Sequence, residues 1–282
     1  MKLPKRVWLS FALALVSLAI WSVLIEPRWI AARALNHSIA GWQGPPGLKV
    51  AVASDWHISR QGLLRVMTLE RARQVVDEIN AARPDAILLP GDFIAGRDSG
   101  FPAADEEIAQ VLGGLKAPLG VYAVLGNHDW RQGGPAFMAA LRRQGITVLD
   151  NDATPLRGTA LWVVGVGDHS TVHSLPVQAV AKLPAGAQAL ALMHDPASFR
   201  RLPPVRGLVV AGHTHGGQVQ MPFWGALIVP GTIPRSWAYG WVERGSNRMY
   251  VTSGLGVSIL PLRFNIRPEW VLFTIKDGNL SP

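Results

Sequence analysis

No cysteine occurs among the 282 residues, which excludes disulfides, thiolate metal sites, iron–sulfur centres and a cysteine nucleophile. Any metal must therefore sit on oxygen and nitrogen donors. Charge is also scarce: Asp, Glu, Lys and Arg make up 16% of the chain, against roughly 25% in an average soluble domain, while hydrophobic residues reach 49%. That balance excludes disorder over most of the length and leaves a large apolar core available. The charge present leans positive, 27 Lys and Arg against 19 Asp and Glu, for a formal net charge of +8. Such a surface attracts phosphates, anionic headgroups or nucleic acid. No interleaved basic–aromatic motif or nucleic-acid module accompanies it, so a nucleic-acid partner has little support.

The positive mean hydropathy of +0.19 points to a membrane segment. Val7 to Ile25 is a run of 19 positions without a charge, preceded by Lys2, Lys5 and Arg6 and closed by Glu26, Pro27 and Arg28. As a helix it nearly spans a hydrocarbon core of roughly 30 Å, with Trp8 and Trp21 suited to the two interfaces. A cleavable signal peptide is the rival reading, because Ala32-Arg33-Ala34 resembles an A-x-A site. Cleavable apolar regions usually run only about 7 to 15 residues, which favours an uncleaved single-pass anchor. Three basic residues before the span against Arg28 and Arg33 after it place the bulk of the chain outside, on the extracytoplasmic face of a bacterial inner membrane.

Residues 1–28 are thus expected to be a basic segment and transmembrane anchor. Residues 29–47 should hold a short amphipathic helix, Arg28 to Ala40, and a Gly/Pro linker, and a globular domain should fill 48–282. Within it, runs of strand length alternate with helical stripes. Leu48 to Ser54, Asp85 to Pro90, Gly120 to Leu125, Ile146 to Leu149, Ala160 to Val166, Ala189 to Met193, Gly207 to Ala211, Arg248 to Thr252 and Trp270 to Ile275 read as strands. Val66 to Ile79, Glu106 to Leu115, Pro135 to Gln144 and Val177 to Leu183 read as helices. The fold class is α/β with mixed sheets.

Five of the strand-like runs end in polar residues: Asp55-Trp-His57, Gly91-Asp92, Gly126-Asn-His-Asp129, His194-Asp195 and Gly212-His-Thr-His215. Ligands of open α/β sheets bind at the carboxyl ends of strands, so these tips can converge on one site. Five of the eight histidines sit in this set. Two divalent cations need a shared carboxylate, for which Asp92 is the natural bridge, plus imidazoles and oxygens that leave positions open. Taken alone, Asp-x-His or Gly-Asp is more often structural or an ordinary turn. Gly-Asn-His-Asp and Gly-His-Thr-His are sharper, and their joint occurrence in order is a strong signal.

On these residues the sequence resembles the calcineurin-like metallophosphoesterase family, from about Leu48 to the C-terminus. Gly212-His-Thr-His-Gly-Gly-Gln218, Met221-Pro-Phe-Trp-Gly225, Ser253-Gly-Leu-Gly256, Pro261-Leu-Arg-Phe264 and Arg267-Pro-Glu269 fit its bacterial membrane-associated branch. Some members of that branch hydrolyse the pyrophosphate of UDP-2,3-diacylglucosamine. The resemblance implies a four-layer sandwich, two packed mixed β-sheets flanked by helices. It implies two divalent metal ions, Mn²⁺, Fe or Zn²⁺, one held by Asp55, His57, Asp92 and His215, the other by Asp92, Asn127, His194 and His213. It also implies attack on phosphorus by a metal-bridged hydroxide, with His128 as acid and stabiliser and Asp129 orienting the His128 ring. Trp56, where relatives more often carry an aliphatic residue, and Asp195, where Asn is common, depart from the pattern without removing a ligand.

Other residues make weaker claims. Arg60, Arg97 and Arg131 each follow a metal motif and are candidates to grip a phosphate, against the commoner reading of salt-bridged surface arginines. His169 and His173 read as hydrogen-bonded loop histidines, and His37 as a solvated or headgroup-facing residue. The irregular stretch Phe223 to Trp241, with Trp224, Trp237, Tyr239, Trp241 and Arg235, is expected to turn several rings outward as an apolar rim beside the metals, joined by Gly62-Leu63-Leu64.

The leading expectation is a membrane-anchored, metal-dependent hydrolase of a phosphodiester or pyrophosphate, with a phosphate-ester substrate that is lipid-linked. The alternatives are a general or cyclic phosphodiesterase with a soluble substrate, and a catalytically silent membrane scaffold.

Overall fold

The computed structural model describes residues 4–60, 65–96 and 104–278. Gly62, Leu63, Leu64 and Arg97, singled out above, lie outside the described residues.

Two six-stranded mixed sheets pack face to face, with helices on both outer faces. The first sheet has the order β1 (Ala31–Ile39), β14 (Glu269–Asp277), β2 (Leu48–Val52), β3 (Ala86–Leu89), β4 (Val121–Ala123) and β5 (Thr147–Val148). The second runs β12 (Gly240–Arg244), β13 (Asn247–Val251), β9 (Arg206–Ala211), β8 (Gln188–Met193), β7 (Trp162–Val166) and β6 (Asp152–Pro155). Strands β2 to β5 run parallel, as do β7, β8, β9 and β13, while β14–β2, β6–β7 and β12–β13 are antiparallel.

Side-chain alternation explains the layering. In β2, Leu48, Val50 and Val52 face the second sheet, whereas Ala51 turns toward the helices. In β8, Leu190 and Leu192 meet that inter-sheet core, and Ala189, Ala191 and Met193 face outward. Branched residues thus fill the space of about 10 Å between sheets, and alanines let the outer helices approach closely. Helices α2 (Leu69–Ala81), α3 (Asp105–Leu112) and α5 (Gly134–Arg143) cover the first sheet, and α6 (Pro176–Ala181) covers the second. Helix α2 starts where Thr68 accepts the Arg71 N–H, and it buries the stripe Ala72, Val75, Val76 and Ile79. The expected four-layer α/β sandwich is what the chain forms.

The segment expected as an amphipathic helix is instead strand β1, paired in parallel with β14 from Ala31↔Glu269 to Ile39↔Asp277. The free edge of β14 supplies backbone partners along nine residues, and this outweighs the helix propensity of Ala31-Ala-Arg-Ala-Leu35. The first sheet therefore takes in residues expected to precede the domain. His37 is buried rather than solvated, and its ring stacks on Trp241 at 5.0 Å between centroids.

Ahead of β1, Lys5–Arg28 forms a continuous helical rod of 24 residues, whose apolar window has mean hydropathy 2.2 and no buried residue. It comprises α1 (Lys5–Ile20), a π-turn at Trp21–Ile25 and a 3₁₀ turn at Glu26–Arg28.

Candidate metal centre

The parallel strands carry their polar tips to one end of the sandwich. Asp55 and His57 follow β2, and Asp92 follows β3. Asn127 opens the five-residue helix α4 (Asn127–Arg131) after β4, His194 follows β8, and His213 and His215 follow β9. All seven are buried. Five of them, Asp55, His57, Asp92, His213 and His215, have φ between 46° and 70°, the left-handed region that non-glycine residues avoid. Hydrogen bonds hold them there. The His213 N–H donates to both carboxylate oxygens of Asp55 at 3.0 Å, and the His128 N–H donates to Asp92 Oδ1 at 2.8 Å. Gly126 has to be glycine, because a Cβ there would collide with the Asp92 carboxylate.

Two clusters result, with Asp92 between them. Asp92 Oδ2 lies 3.3 Å from His194 Nε2 and 3.6 Å from His57 Nε2. On one side, His57 Nε2 and His215 Nε2 approach to 3.1 Å, with Asp55 Oδ1 3.5 Å from the latter. On the other, His194 Nε2 is 3.2 Å from both Asn127 Oδ1 and His213 Nδ1. Donor atoms of Asp55, His57 and His215, and of Asp92, His194 and His213, all fall within 4.8 Å of one another in each group. One imidazole N–H at His194 cannot satisfy Asp92, Asn127 and His213 together, whereas a divalent cation takes all of these atoms as ligands. The donor set therefore fits a metal.

Electrostatics support the same fit. Burial pushes His57 down to about 3, and it holds His215 well below and His213 below the ordinary imidazole range, so these rings offer lone pairs at neutral pH. Burial also pushes Asp55 up to about 6. For the His194–Asp92 pair burial opposes both charges, yet their attraction prevails, holding the imidazole well above and the carboxyl well below their usual values. A cation bound here would supply the positive charge that favours the ionised Asp92 carboxylate and would take His194 as a neutral ligand.

His128 is half-buried at the wall of a cleft of about 770 Å³, with its ring edge-on to His57 at 4.8 Å. Asp129 does not orient that ring. Its carboxylate accepts the N–H groups of Asp92, Phe93, Ile94 and Gly126 at 2.9–3.1 Å, so it braces the turn that presents Asp92. Burial and the nearby Asp92 push Asp129 up to about 8, against the pull of these donors. Arg131 lines the cleft, whereas Arg60 turns away to pair with Glu107 at 3.0 Å. His169 and His173 stay outside the cluster; His173 stacks on Trp130 at 3.8 Å.

Sequence reasoning gave no role to Arg263, although Pro261-Leu-Arg-Phe264 had marked its surroundings. Fully buried, it donates to the carbonyls of Ser253, Gly254, Gly256, Ile266 and the metal-site residue His215. The outward-facing rings also differ from expectation. Trp241 packs on Tyr250 and Phe273, and Trp237 on Phe199, while Phe223, Trp224, Ile228, Ile259 and Leu260 are exposed.

Residues 48–217 match the calcineurin-like phosphoesterase family, and the chain belongs to it. It is thus a metal-dependent phosphoesterase. Among its relatives, an uncharacterized metallophosphoesterase of Bacillus subtilis, YkuE, is 32% identical over 241 residues, 84% of this chain and 82% of its own. Phosphodiesterase YaeI of Escherichia coli is 32% identical over 255 residues, covering 86% of this chain and 87% of its own. An uncharacterized metallophosphoesterase of Aquifex aeolicus is 28% identical over 240 residues, covering 82% and 87%.

Proposed function

We propose that this chain is a membrane-anchored phosphoesterase with two divalent ions, hydrolysing a phosphodiester or pyrophosphate bond in a lipid-linked substrate. The observation that carries the dinuclear reading is the position of Asp92 Oδ2, 3.3 Å from His194 on one side and 3.6 Å from His57 on the other. Asp55, His57, Asp92 and His215 would hold one ion; Asp92, Asn127, His194 and His213 the other. The nitrogen and oxygen donors suit Mn²⁺, Fe or Zn²⁺. When bound, such ions polarise a phosphoryl oxygen and acidify water.

The chain's own side chains do the rest. His128 reaches into the cleft and donates a proton to the departing oxygen. Asp129 keeps Asp92 in place through the shared turn. Arg131, on the cleft wall, pairs with a non-reacting phosphoryl oxygen and orients the substrate. A phosphodiester as the bond cleaved agrees with the printed name of the relative YaeI.

The anchor reading rests on the helical rod Lys5–Arg28, about 36 Å long at 1.5 Å per residue, whose apolar window is unburied. Cleavage after Ala34 would cut β1 in the middle of its pairing with β14, which favours an uncleaved span. The basic residues Lys2, Lys5 and Arg6 ahead of the apolar run favour a catalytic domain on the extracytoplasmic face of a bacterial inner membrane. The lipid-linked substrate is supported by Leu227, Ile228, Ile259 and Leu260, which wall the same cleft as His128 and His213.

A substrate panel on the purified full chain tests this function. Metal-dependent turnover of bis-p-nitrophenyl phosphate and of a lipid pyrophosphate such as UDP-2,3-diacylglucosamine, abolished by EDTA and restored by Mn²⁺, is the expected result. Turnover of the soluble diester with none of any lipid phosphate would remove the lipid-linked substrate and favour the general phosphodiesterase.

A further inference from the structure

Three segments far apart in sequence are tied together beside the cleft. The base of the N-terminal helix is fixed to the loop 256–268. Arg263 N–H donates to Ser22 O at 2.9 Å, Ile266 N–H to the buried Glu26 carboxylate at 2.7 Å, and the Arg267 guanidinium to Trp29 O at 2.9 Å. The other side of that loop holds the segment leading into the β10–β11 hairpin, Gln220–Met221 paired with Gly225–Ala226. Gln218 Oε1 accepts the Ser258 N–H at 2.6 Å, Gln218 Nε2 donates to Leu260 O at 3.1 Å, and Asn265 donates to Gln220 O at 3.3 Å. The loop is a short strut between the helix exit and the hairpin.

The strut and the hairpin present apolar side chains to the outside. Phe223 and Ile259 are fully exposed, and Trp224 and Ile228 nearly four-fifths so. Phe223 and Ile259 also sit at φ of 67° and 64°, a region that bulky and β-branched residues avoid. Among the described residues no packing rewards this presentation, and an exposed apolar patch marks a contact with something else. The helix exit shows what that is. Trp21 and Trp29 meet edge to face at 5.9 Å, and the Arg267 guanidinium, from the same loop, lies 4.0 Å over Trp29. Aromatic rings and a cation at the end of an apolar helix are the composition of a membrane–water interface.

We infer that the hairpin tip 223–228 and the loop tip 258–260 form a second bilayer contact, seated in the interfacial layer of the leaflet from which the N-terminal helix emerges. The inference rests on the anchor reading above and goes beyond it. The mouth of the metal cleft then opens onto the bilayer surface. A substrate with acyl chains reaches His128 and Arg131 by moving in the membrane plane past Ile228, Ile259 and Leu260, without leaving the lipid.

The absence of cysteine makes a direct test available, because each introduced thiol is a unique labelling site. Full-length Ile259→Cys, Phe223→Cys, Leu13→Cys and Arg157→Cys are labelled with the fluorophore NBD. They are then placed in phosphatidylethanolamine/phosphatidylglycerol vesicles containing doxyl-labelled lipid. Arg157 lies at the opposite end of the strands, beside Asp85 and Lys116, and serves as the water-facing reference. Shallow doxyl lipid is expected to quench the 259 and 223 labels at least about twofold more than the 157 label, while deep doxyl lipid quenches the label at 13. If the label at 13 is quenched but those at 259 and 223 match 157, the second contact is overturned and the anchor stands. If the label at 13 is not quenched either, the anchor reading itself fails. Shielding at 259 that follows protein concentration and ignores doxyl lipid would identify a second copy of the chain as the occupant and overturn the bilayer contact.

Discussion

The guanidinium of Arg263 donates to the carbonyl oxygen of His215 at 3.4 Å, linking a fully buried cation to the backbone of a metal-site histidine. The same side chain donates to Ser253 O and Gly256 O at 2.7 Å and to Gly254 O at 3.2 Å. Burial pushes its pKa down to about 10, so it remains charged at neutral pH. Its partners are carbonyls; those of Gly254 and His215 also accept the Glu269 and Gln218 N–H groups, but removing the guanidinium takes the donor from the buried carbonyls of Ser253 and Gly256. Arg263→Met should therefore lower unfolding free energy by about 3 kcal/mol or more and reduce metal retention; urea denaturation and metal analysis measure both. Lysine, with one ammonium in place of a planar fork, should recover only part of the loss.

His128 is not among the seven residues proposed to hold the ions, although its ring also comes within 4.8 Å of the donor atoms of His57 and Asp92. His128→Gln should leave metal content and melting temperature unchanged and lower kcat by about 10²–10⁴-fold, the usual contribution of a general acid. Steady-state kinetics with bis-p-nitrophenyl phosphate, together with metal analysis, checks the separation. A loss of metal equal to that of a ligand variant would move His128 into the coordination set.

His37 makes stability depend on pH. Burial lowers its pKa, the charge of Arg248 adds to this, and Nδ1 has no hydrogen-bond partner among the described residues, so the folded ring stays neutral. An unfolded chain takes up that proton below about pH 6.5. Between the folded and unfolded pKa values the unfolded state binds more protons, so the contribution is complete above pH 6.5 and is lost as pH falls. In EDTA, the urea midpoint of the wild type should drop from pH 7 to pH 5.5 by more than that of His37→Phe. Equal slopes would show that His37 does not control this acid sensitivity.

The N-terminal helix should persist in the mature protein. Ala32 and Ala34 sit inside β1, paired with Trp270 and Leu272. Intact-mass measurement of the protein extracted from membranes should find the chain retained through Trp21. A mature start at Leu35 would contradict the uncleaved anchor.

The sandwich was legible where a strand's own residues alternate. Leu48-Lys-Val-Ala-Val52 and Gln188-Ala-Leu-Ala-Leu-Met193 carry their two faces in the sequence itself. Strand β1 was not legible, because Ala31 to Leu35 favours a helix and only the edge of β14, some 240 residues later, makes it a strand. The residues grouped at the centre were legible because five strand ends carry the oxygen and nitrogen donors that divalent cations require. The backbone that aims them was not. No local propensity announces a left-handed φ at Asp55, Asp92 or His213, and the bonds that enforce it join segments as distant as residues 55 and 213. For the same reason Asp129 was given to its neighbour His128, while in the fold its carboxylate is fully taken by the N–H groups around Asp92. The apolar rim took Phe223 and Trp224 from the expected stretch, but Trp237 and Trp241 pack inward and Ile259 and Leu260 join from outside it. Which rings face water depends on packing partners such as Phe273 and Phe199, which lie far away in sequence.

Inductively coupled plasma analysis of the purified full chain, wild type beside Asp92→Ala, is the most direct test of a shared carboxylate between two ions. Two divalent ions per wild-type chain are expected, with both sites depleted and turnover lost in a folded Asp92→Ala. A folded wild type that binds a single ion, or an Asp92→Ala chain that keeps two, would contradict it.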